Sequence, residues 1–101
     1  MQSLTDPRRK PTHPGAVLRE DVLPALGMTQ GELARRLGVS RLSVNELLRE
    51  KRALSVEMAA RLGKALGTTA ESWTAMQTAL DLWEIAQDPD ALADLQPVEA
   101  A

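Results

Sequence analysis

Residues 30–49 read QGELARRLGVSRLSVNELLR and contain two short helical patterns that meet at Gly38. Thr29 and Ser40 precede the two patterns, and both residue types are favoured N-caps because their hydroxyls accept backbone N–H groups. Ala34 is small enough to let two helices cross closely, and glycine adopts the positive φ that a tight turn requires. Apolar residues at helical spacing supply the inner faces, at Leu33, Leu37, Val44 and Leu47. The stretch predicts a helix-turn-helix with its core at 29–49.

The outer face of the second helix is the candidate for DNA recognition. In a helix-turn-helix this helix enters the major groove, where its N-terminal residues reach base edges. Arg41 is suited to guanine, Asn45 to adenine and Leu42 to a thymine methyl group. Helix N-termini and the cations of the following loop are suited to phosphates. The predicted DNA-binding residues are Gln30, Ser40, Arg41, Leu42, Ser43, Asn45, Arg49, Lys51 and Arg52. For Glu46 we expect an ion pair with a neighbouring arginine.

The rest of the chain predicts three further helices and two tails. We expect a first helix over 14–23, ended by Pro24 and Gly27. A fourth helix begins at Ser55, and its expected buried residues are Val56, Ala59, Leu62 and Leu66. A fifth helix occupies 69–87. The predicted fold class is all-α, a five-helix repressor-like domain over 13–87, with a flexible basic arm at 1–12 and a flexible acidic tail at 88–101.

Charge is divided unevenly along the chain, although the net charge is only −2. All 12 Lys and Arg residues lie within 1–67 beside seven acidic residues, whereas 68–101 contains seven acidic residues and no basic one. This asymmetry is typical of a module with two different partner surfaces, of which the basic one fits nucleic acid. A solvated surface with chance clustering is the alternative interpretation.

Several function classes find no support in the sequence. The chain has no cysteine and one histidine, His13, so we expect no metal site. The adjacent carboxylates of Glu20 and Asp21 point about 100° apart on a helix and cannot share a substrate. We therefore expect no catalytic residues, no cofactor and no enzyme. No apolar stretch approaches the roughly 20 residues of a membrane span, so we expect a cytoplasmic protein without membrane contact.

The fifth helix carries an apolar stripe that is a candidate for dimerisation. Its members fall at spacings of three, four and three residues, at Trp73, Met76, Leu80 and Trp83. Operator binding usually requires two helix-turn-helix units about 34 Å apart, and this stripe could join them. Alternatively, the stripe only covers the core of its own chain. Trp73 fits the core better and Trp83 fits the interface better.

The sequence resembles the HigA-type antitoxins of the phage-repressor helix-turn-helix superfamily. The matching stretches are HPGAVLREDVLPALGMTQGELARRLGVSR at 13–41, VNELLREKRALSVEMAARLGKALGTTAESW at 44–73 and MQTALDLWEIA at 76–86. Together they cover about three-quarters of the chain. The resemblance implies a five-helix fold, a homodimer on a palindromic double-stranded operator, autorepression, and neutralisation of a HigB-like ribonuclease toxin.

Two of the departures from the family pattern lie in or next to the recognition helix. Leu42 stands where relatives often carry a polar, base-reading side chain, so operator specificity does not transfer. Glu50 replaces the small or glycine residue that often follows the recognition helix. Two alternatives also remain open. One is a stand-alone phage- or plasmid-type repressor without a toxin partner. The other is a protein-interaction module that keeps the helix-turn-helix shape without using DNA, against which the cations on one side of the unit argue.

Overall fold

The computed structural model describes residues 8–99, which contain five helical stretches and no β-strand. The first stretch, α1, joins three consecutive segments, Pro14–Val17, Leu18–Val22 and Leu23–Leu26. It is followed by α2 (Gln30–Leu37), α3 (Arg41–Leu48), α4 (Val56–Leu66) and α5 (Ala70–Gln87). The all-α, five-helix fold class is confirmed. Residues 1–7 of the expected arm and 100–101 of the expected tail lie outside the described part of the chain.

The first helix is longer than its sequence predicts. Pro24 does not end it, because the preceding turn, Leu18–Val22, is a π-helix whose wider bonds run to the fifth residue back. The Leu23 N–H bonds to the Leu18 carbonyl in this way. A π-turn relieves the clash that a proline ring makes with the preceding turn, and proline has no N–H to leave unpaired. The helix ends instead at Gly27, which has a φ of 62°.

The helix-turn-helix forms as its caps predict. The Thr29 hydroxyl accepts the N–H of Glu32 at 3.1 Å, and the Ser40 hydroxyl accepts the N–H of Ser43 at 3.0 Å. Gly38 ends α2 with a φ of 70°. An L-residue with a Cβ is destabilised by about 1–2 kcal/mol in this conformation, so glycine favours the sharp change of direction between α2 and α3.

The core lies between the helix-turn-helix and the flanking helices. Its buried members are Leu18, Leu23, Leu33, Ala34, Leu37, Val44, Leu47, Leu48, Leu54, Met58, Ala59, Leu62 and Trp73. The close approach of α1 to α3 depends on Gly15, since a Cβ there would clash with the Leu47 carbonyl oxygen. One expected core residue is wrong: Val56 is 75% exposed. The buried face of α4 is centred between Met58 and Leu62, and Val56 lies at its edge on the first turn.

The C-terminal helix divides its apolar stripe between the core and the surface. Trp73 and Leu80 are each only 3% exposed, so both lie inside the monomer. Trp73 is thus in the core, which it was expected to fit better, whereas the candidate dimer residue Leu80 is not on the surface of the monomer. The indole N–H of Trp73 donates to the Thr68 hydroxyl at 2.8 Å. Met76 and Trp83 are half-buried. Half of the stripe therefore packs in the monomer core, and only its outer part, Met76 and Trp83, reaches the surface where a second molecule could contact it.

The described part of the N-terminal arm lies against α5. Residues Arg9–Thr12 line a groove with that helix, and the Lys10 ammonium is 5.9 Å from the centre of the Trp83 ring. At this distance the cation is attracted to the face of the indole. Within the described residues, no helix is long and apolar enough to cross a membrane.

Candidate nucleic-acid interface

The outer face of α3 carries the residues expected to meet DNA. Arg41 and Leu42 are exposed, the latter by 66%, while Asn45 is half-buried. Ser43 is half-buried as well. The residues of the opposite face point into the core with at most 1% exposure, at Val44, Leu47 and Leu48. The division between the two faces follows from the helical period, because residues three and four apart share a side. One side of α3 thus exposes Arg41 and Leu42 to solvent, and the opposite side packs in the apolar core.

Gln30 and Asn45 form a hydrogen bond between the two helices of the unit. The Asn45 Nδ2 donates to the Gln30 Oε1 at 3.2 Å. This contact fixes the Asn45 amide and leaves its Oδ1 and its second Nδ2 hydrogen to other partners. Those two groups are the acceptor and the donor that pair with the N6 and N7 of adenine. Gln30, expected to contact phosphate at the α2 N-terminus, is thereby hydrogen-bonded to Asn45, which is expected to contact a base.

Arg41, the first residue of α3, extends across the start of α2. A Cβ at Gly31 would lie 2.7 Å from the Arg41 Nη2, so only a glycine lets the guanidinium lie this close. Thr29, Glu32 and Arg35 surround the same shallow depression. The guanidinium groups of Arg35 and Arg41 outweigh the one carboxylate of Glu32 in this depression, and the positive end of the α2 dipole adds to a potential that suits a phosphate as well as a guanine.

The cations that follow α3 are exposed, but they are not equivalent. Arg52 makes an ion pair with Glu46 of α3 at 3.0 Å, which confirms the expected arginine partner of Glu46. Arg49 and Lys51 are exposed on the same loop, and no ion pair within the described residues includes them. Of the three predicted phosphate contacts, Arg52 therefore has to share its charge with a carboxylate.

Glu50 adopts a backbone conformation that normally requires glycine. Its φ is 61°, and among the residues that the structure describes no other residue except glycine has a positive φ. The N–H groups of Glu50 and Lys51 bond to the carbonyls of Leu47 and Glu46 at 3.0 and 2.9 Å. This pair of bonds is the Schellman motif that closes a helix. Glycine adopts this backbone conformation without strain, so Glu50 bears a strain here that a glycine would not.

Arg19 contacts both the end of α3 and the Glu50 carboxylate, a role that the sequence did not predict. From α1, its guanidinium donates to the Leu48 carbonyl and forms an ion pair with Glu50 at 3.2 Å. A cation at a helix C-terminus is favourable because the last carbonyls carry a partial negative charge. Arg19 therefore holds the end of α3 and pairs with the carboxylate next to the predicted phosphate contacts, while it shares its charge with Glu20 at 3.2 Å.

Arg61 does the same for α2. Its Nη1 donates to the Leu37 carbonyl at 2.8 Å, and its Nε pairs with Glu57 at 3.4 Å. Two of the chain's arginines thus cap the two helices of the unit from outside it. No local pattern marks such arginines, because their partners are 24 and 29 residues away in sequence. A fixed helix pair with a polar outer face and cations on its rim defines the helix-turn-helix class.

Comparison with known proteins gives the same class. The helix-turn-helix family model matches residues 18–73. The HTH-type transcriptional regulator YbaQ of Escherichia coli is 41% identical over 90% of this chain and 80% of its own length. Antitoxin HigA-1 of Vibrio cholerae is 36% identical over 76% of this chain and 72% of its own length.

Solved structures agree with these relatives. Antitoxin GraA in complex with its operator superposes with a TM-score of 0.82 and 39% identity, covering 91% of this chain and 95% of that one. The antitoxin HigA of Pseudomonas aeruginosa with the higBA promoter gives a TM-score of 0.80 and 34% identity, covering 89% and 100%. The chain belongs to the helix-turn-helix family and, within it, to the HigA-type antitoxins.

Proposed function

We propose that this chain is an antitoxin and a sequence-specific DNA-binding autorepressor that neutralises a cognate ribonuclease toxin in the cytoplasm. The observation that carries the DNA-binding part is the face of α3, where exposed Arg41 and Leu42 flank an Asn45 amide held by Gln30. The family membership carries the antitoxin part, because relatives with this fold are named HigA and GraA antitoxins. We assign the chain no catalytic activity.

Base reading falls to the side chains that leave α3 near its start. Arg41 offers two parallel donors to guanine, and Asn45 offers a donor and an acceptor to adenine. Leu42, 66% exposed, offers an apolar surface to a thymine methyl group. The proposed phosphate contacts are Ser40, Ser43 and the N-terminus of α2 at Gln30, together with the loop cations Arg49, Lys51 and Arg52.

The proposed active form on DNA is a homodimer on a palindromic operator. One helix-turn-helix unit contacts one half-site of the operator. Two units related by twofold symmetry raise the affinity and fix the distance between the two half-sites. The outer part of α5 supports this assembly: Met76 and Trp83 are half-buried, and Leu82, which lines the same groove, is 62% exposed. Contiguous apolar side chains on a helix surface favour association. Trp73 and Leu80 would support the interface from inside.

Binding to the DNA upstream of the chain's own reading frame tests the repressor part. We expect salt-dependent binding, with Arg41→Ala costing about 1–3 kcal/mol on the operator and little on a scrambled duplex. Fluorescence anisotropy at several salt concentrations measures both. Arg36→Ala is the matched control, because Arg36 is exposed on α2 and is not among the predicted contacts. Equal losses on both duplexes would restrict Arg41 to phosphate contact.

Co-expression tests the antitoxin part. We expect a small ribonuclease to be encoded next to this reading frame, to arrest growth when expressed alone, and to lose this effect when this chain is co-expressed. The two proteins should also co-purify. Continued arrest, with operator binding intact, would leave a stand-alone repressor as the function.

A further inference from the structure

The loop that follows α3, residues 49–55, is held by side chains from both ends of the fold. His13, at the start of α1, places its Nε2 3.0 Å from the Arg52 carbonyl oxygen, which accepts the bond. Gln77, in the middle of α5, places its Oε1 2.8 Å from the backbone nitrogen of Leu54, which donates. The loop is therefore fixed at Arg52 and at Leu54, which are the last of the residues that the proposed function assigns to phosphates and the second residue after it.

These two residues are the polar side chains that the described part of the chain buries. His13 is 8% exposed and Gln77 is 7% exposed. Both are fully used: the His13 Nδ1 accepts the Gly15 N–H at 2.9 Å, and the Gln77 Nε2 donates to the Asp81 Oδ1 at 2.8 Å. A buried amide or imidazole costs free energy unless it is hydrogen-bonded, so such groups persist where their bonds fix a geometry.

The same two residues converge on one segment from distant parts of the sequence. His13 is 39 residues from its loop partner, and Gln77 is 23 residues from its own. At position 77 an apolar side chain of similar size would fill the core equally well. It would, however, leave the buried Leu54 N–H without an acceptor, and the loop would move to find one. The bonds therefore decide where the loop lies rather than whether α5 packs.

We propose that Gln77 and His13 are positioning residues for DNA binding, which fix the 49–55 loop so that Lys51 and Arg52 meet the phosphates without further ordering. A loop held in its bound conformation loses less entropy on binding, and its cations then contribute fully to affinity. The inference rests on the proposed function, since it presumes that this loop contacts the operator backbone.

Variants at Gln77 separate the two bonds from the packing. Gln77→Leu removes the acceptor for Leu54 but keeps the volume. The double variant Gln77→Glu/Asp81→Asn restores the acceptor with the second bond reversed. One oxygen of the introduced carboxylate accepts from Leu54, and the other accepts from the introduced amide. His13→Asn keeps the helix cap through the asparagine oxygen and removes the bond to Arg52. It serves as a second variant if Gln77→Leu does not fold.

The readout is the salt dependence of binding to the upstream duplex and to a scrambled duplex. We expect Gln77→Leu and His13→Asn to weaken both duplexes alike, by roughly three- to tenfold, and to reduce the slope of log K against log salt by about one. The double variant should recover the slope. A merely structural defect lowers the fraction of active protein and leaves the slope of the folded fraction unchanged.

Two reference measurements distinguish a failure of the proposed function from a failure of the positioning role. Wild-type protein that shows no salt-dependent binding would refute the proposed function itself. If wild type binds and Lys51→Ala lowers the slope, but folded Gln77→Leu and His13→Asn keep the wild-type slope and affinity, the positioning role is refuted and the proposed function stands. An unchanged slope in Lys51→Ala would also refute the positioning role, because the loop would then not contact phosphate.

Discussion

The helix-turn-helix unit, α2 and α3, and the C-terminal helix α5 both carry apolar residues at helical spacing, yet the fold uses them differently. In the unit, the apolar residues of the inner face are buried, including Leu33, Leu37 and Leu47 at 1–3% exposure. In α5, Trp73 and Leu80 are buried, whereas Met76 and Trp83 of the same stripe are only half-buried. An apolar stripe that the monomer does not fully cover indicates a second contact surface. The inner face of the unit therefore makes the fold, whereas the outer part of the α5 stripe stays at the surface, where an assembly can use it.

The largest expected effect is at the buried end of α5. Trp73→Ala should lower the free energy of unfolding by about 3–5 kcal/mol, because it leaves a large cavity and removes the bond to Thr68. Urea unfolding followed by circular dichroism measures the loss. Trp73→Phe is the control, since it keeps most of the ring and gives up the hydrogen bond. A loss below about 1 kcal/mol would mean that α5 is not part of the core.

A smaller effect of opposite sign is expected at the end of the recognition helix. Glu50→Gly should raise the free energy of unfolding by about 0.5–1 kcal/mol, because relief of the left-handed backbone outweighs loss of the exposed Arg19 ion pair. Glu50→Ala loses the ion pair but keeps the strain, so the same urea titration should show it to be less stable than wild type. A glycine variant less stable than wild type would show that Arg19 contributes more than the strain costs.

The smallest effect on unfolding is expected at the outer part of α5. Trp83→Asp should leave the helical circular dichroism of the chain unchanged, because this side chain is only half-buried. It should nevertheless convert dimers to monomers, since a carboxylate in an apolar interface is left without a partner. Light scattering reports the mass. Gln87→Glu adds the same charge at the exposed end of the helix and should remain dimeric. A Trp83→Asp dimer would remove α5 from the interface.

Much of the helix-turn-helix could be predicted because its signals are local. Thr29 and Ser40 cap helices that begin one residue later, and Gly38 supplies the left-handed turn. Each signal acts within a few residues and depends little on the rest of the fold. The outward direction of Arg41 and Leu42 followed from the helical period once the inner face was assigned. The expected pair between Glu46 and an arginine was also correct.

The errors arise where a single-residue rule or the spacing within one helix does not decide the outcome. Pro24 was expected to end α1, but a π-turn carries the helix past it. Val56 has the spacing of a core residue, but no neighbouring element within the described residues covers the first turn of α4 at that side. Leu80 belongs to a stripe whose spacing alone does not tell which members face inward. Period and propensity describe one helix at a time, whereas burial depends on its neighbours.

The amino-acid sequence by itself determined the helices, their caps, the sharp turn at Gly38 and the family to which the chain belongs. Only the tertiary structure decided which polar groups fix the unit: Arg19 and Arg61 at the helix ends, and His13 and Gln77 at the loop. The physical reason is the separation in sequence between each group and its hydrogen-bond partner. A cap or a glycine acts through bonds to residues a few positions away, whereas these four side chains bond to partners 23 to 39 residues distant, which only the folded chain brings within reach.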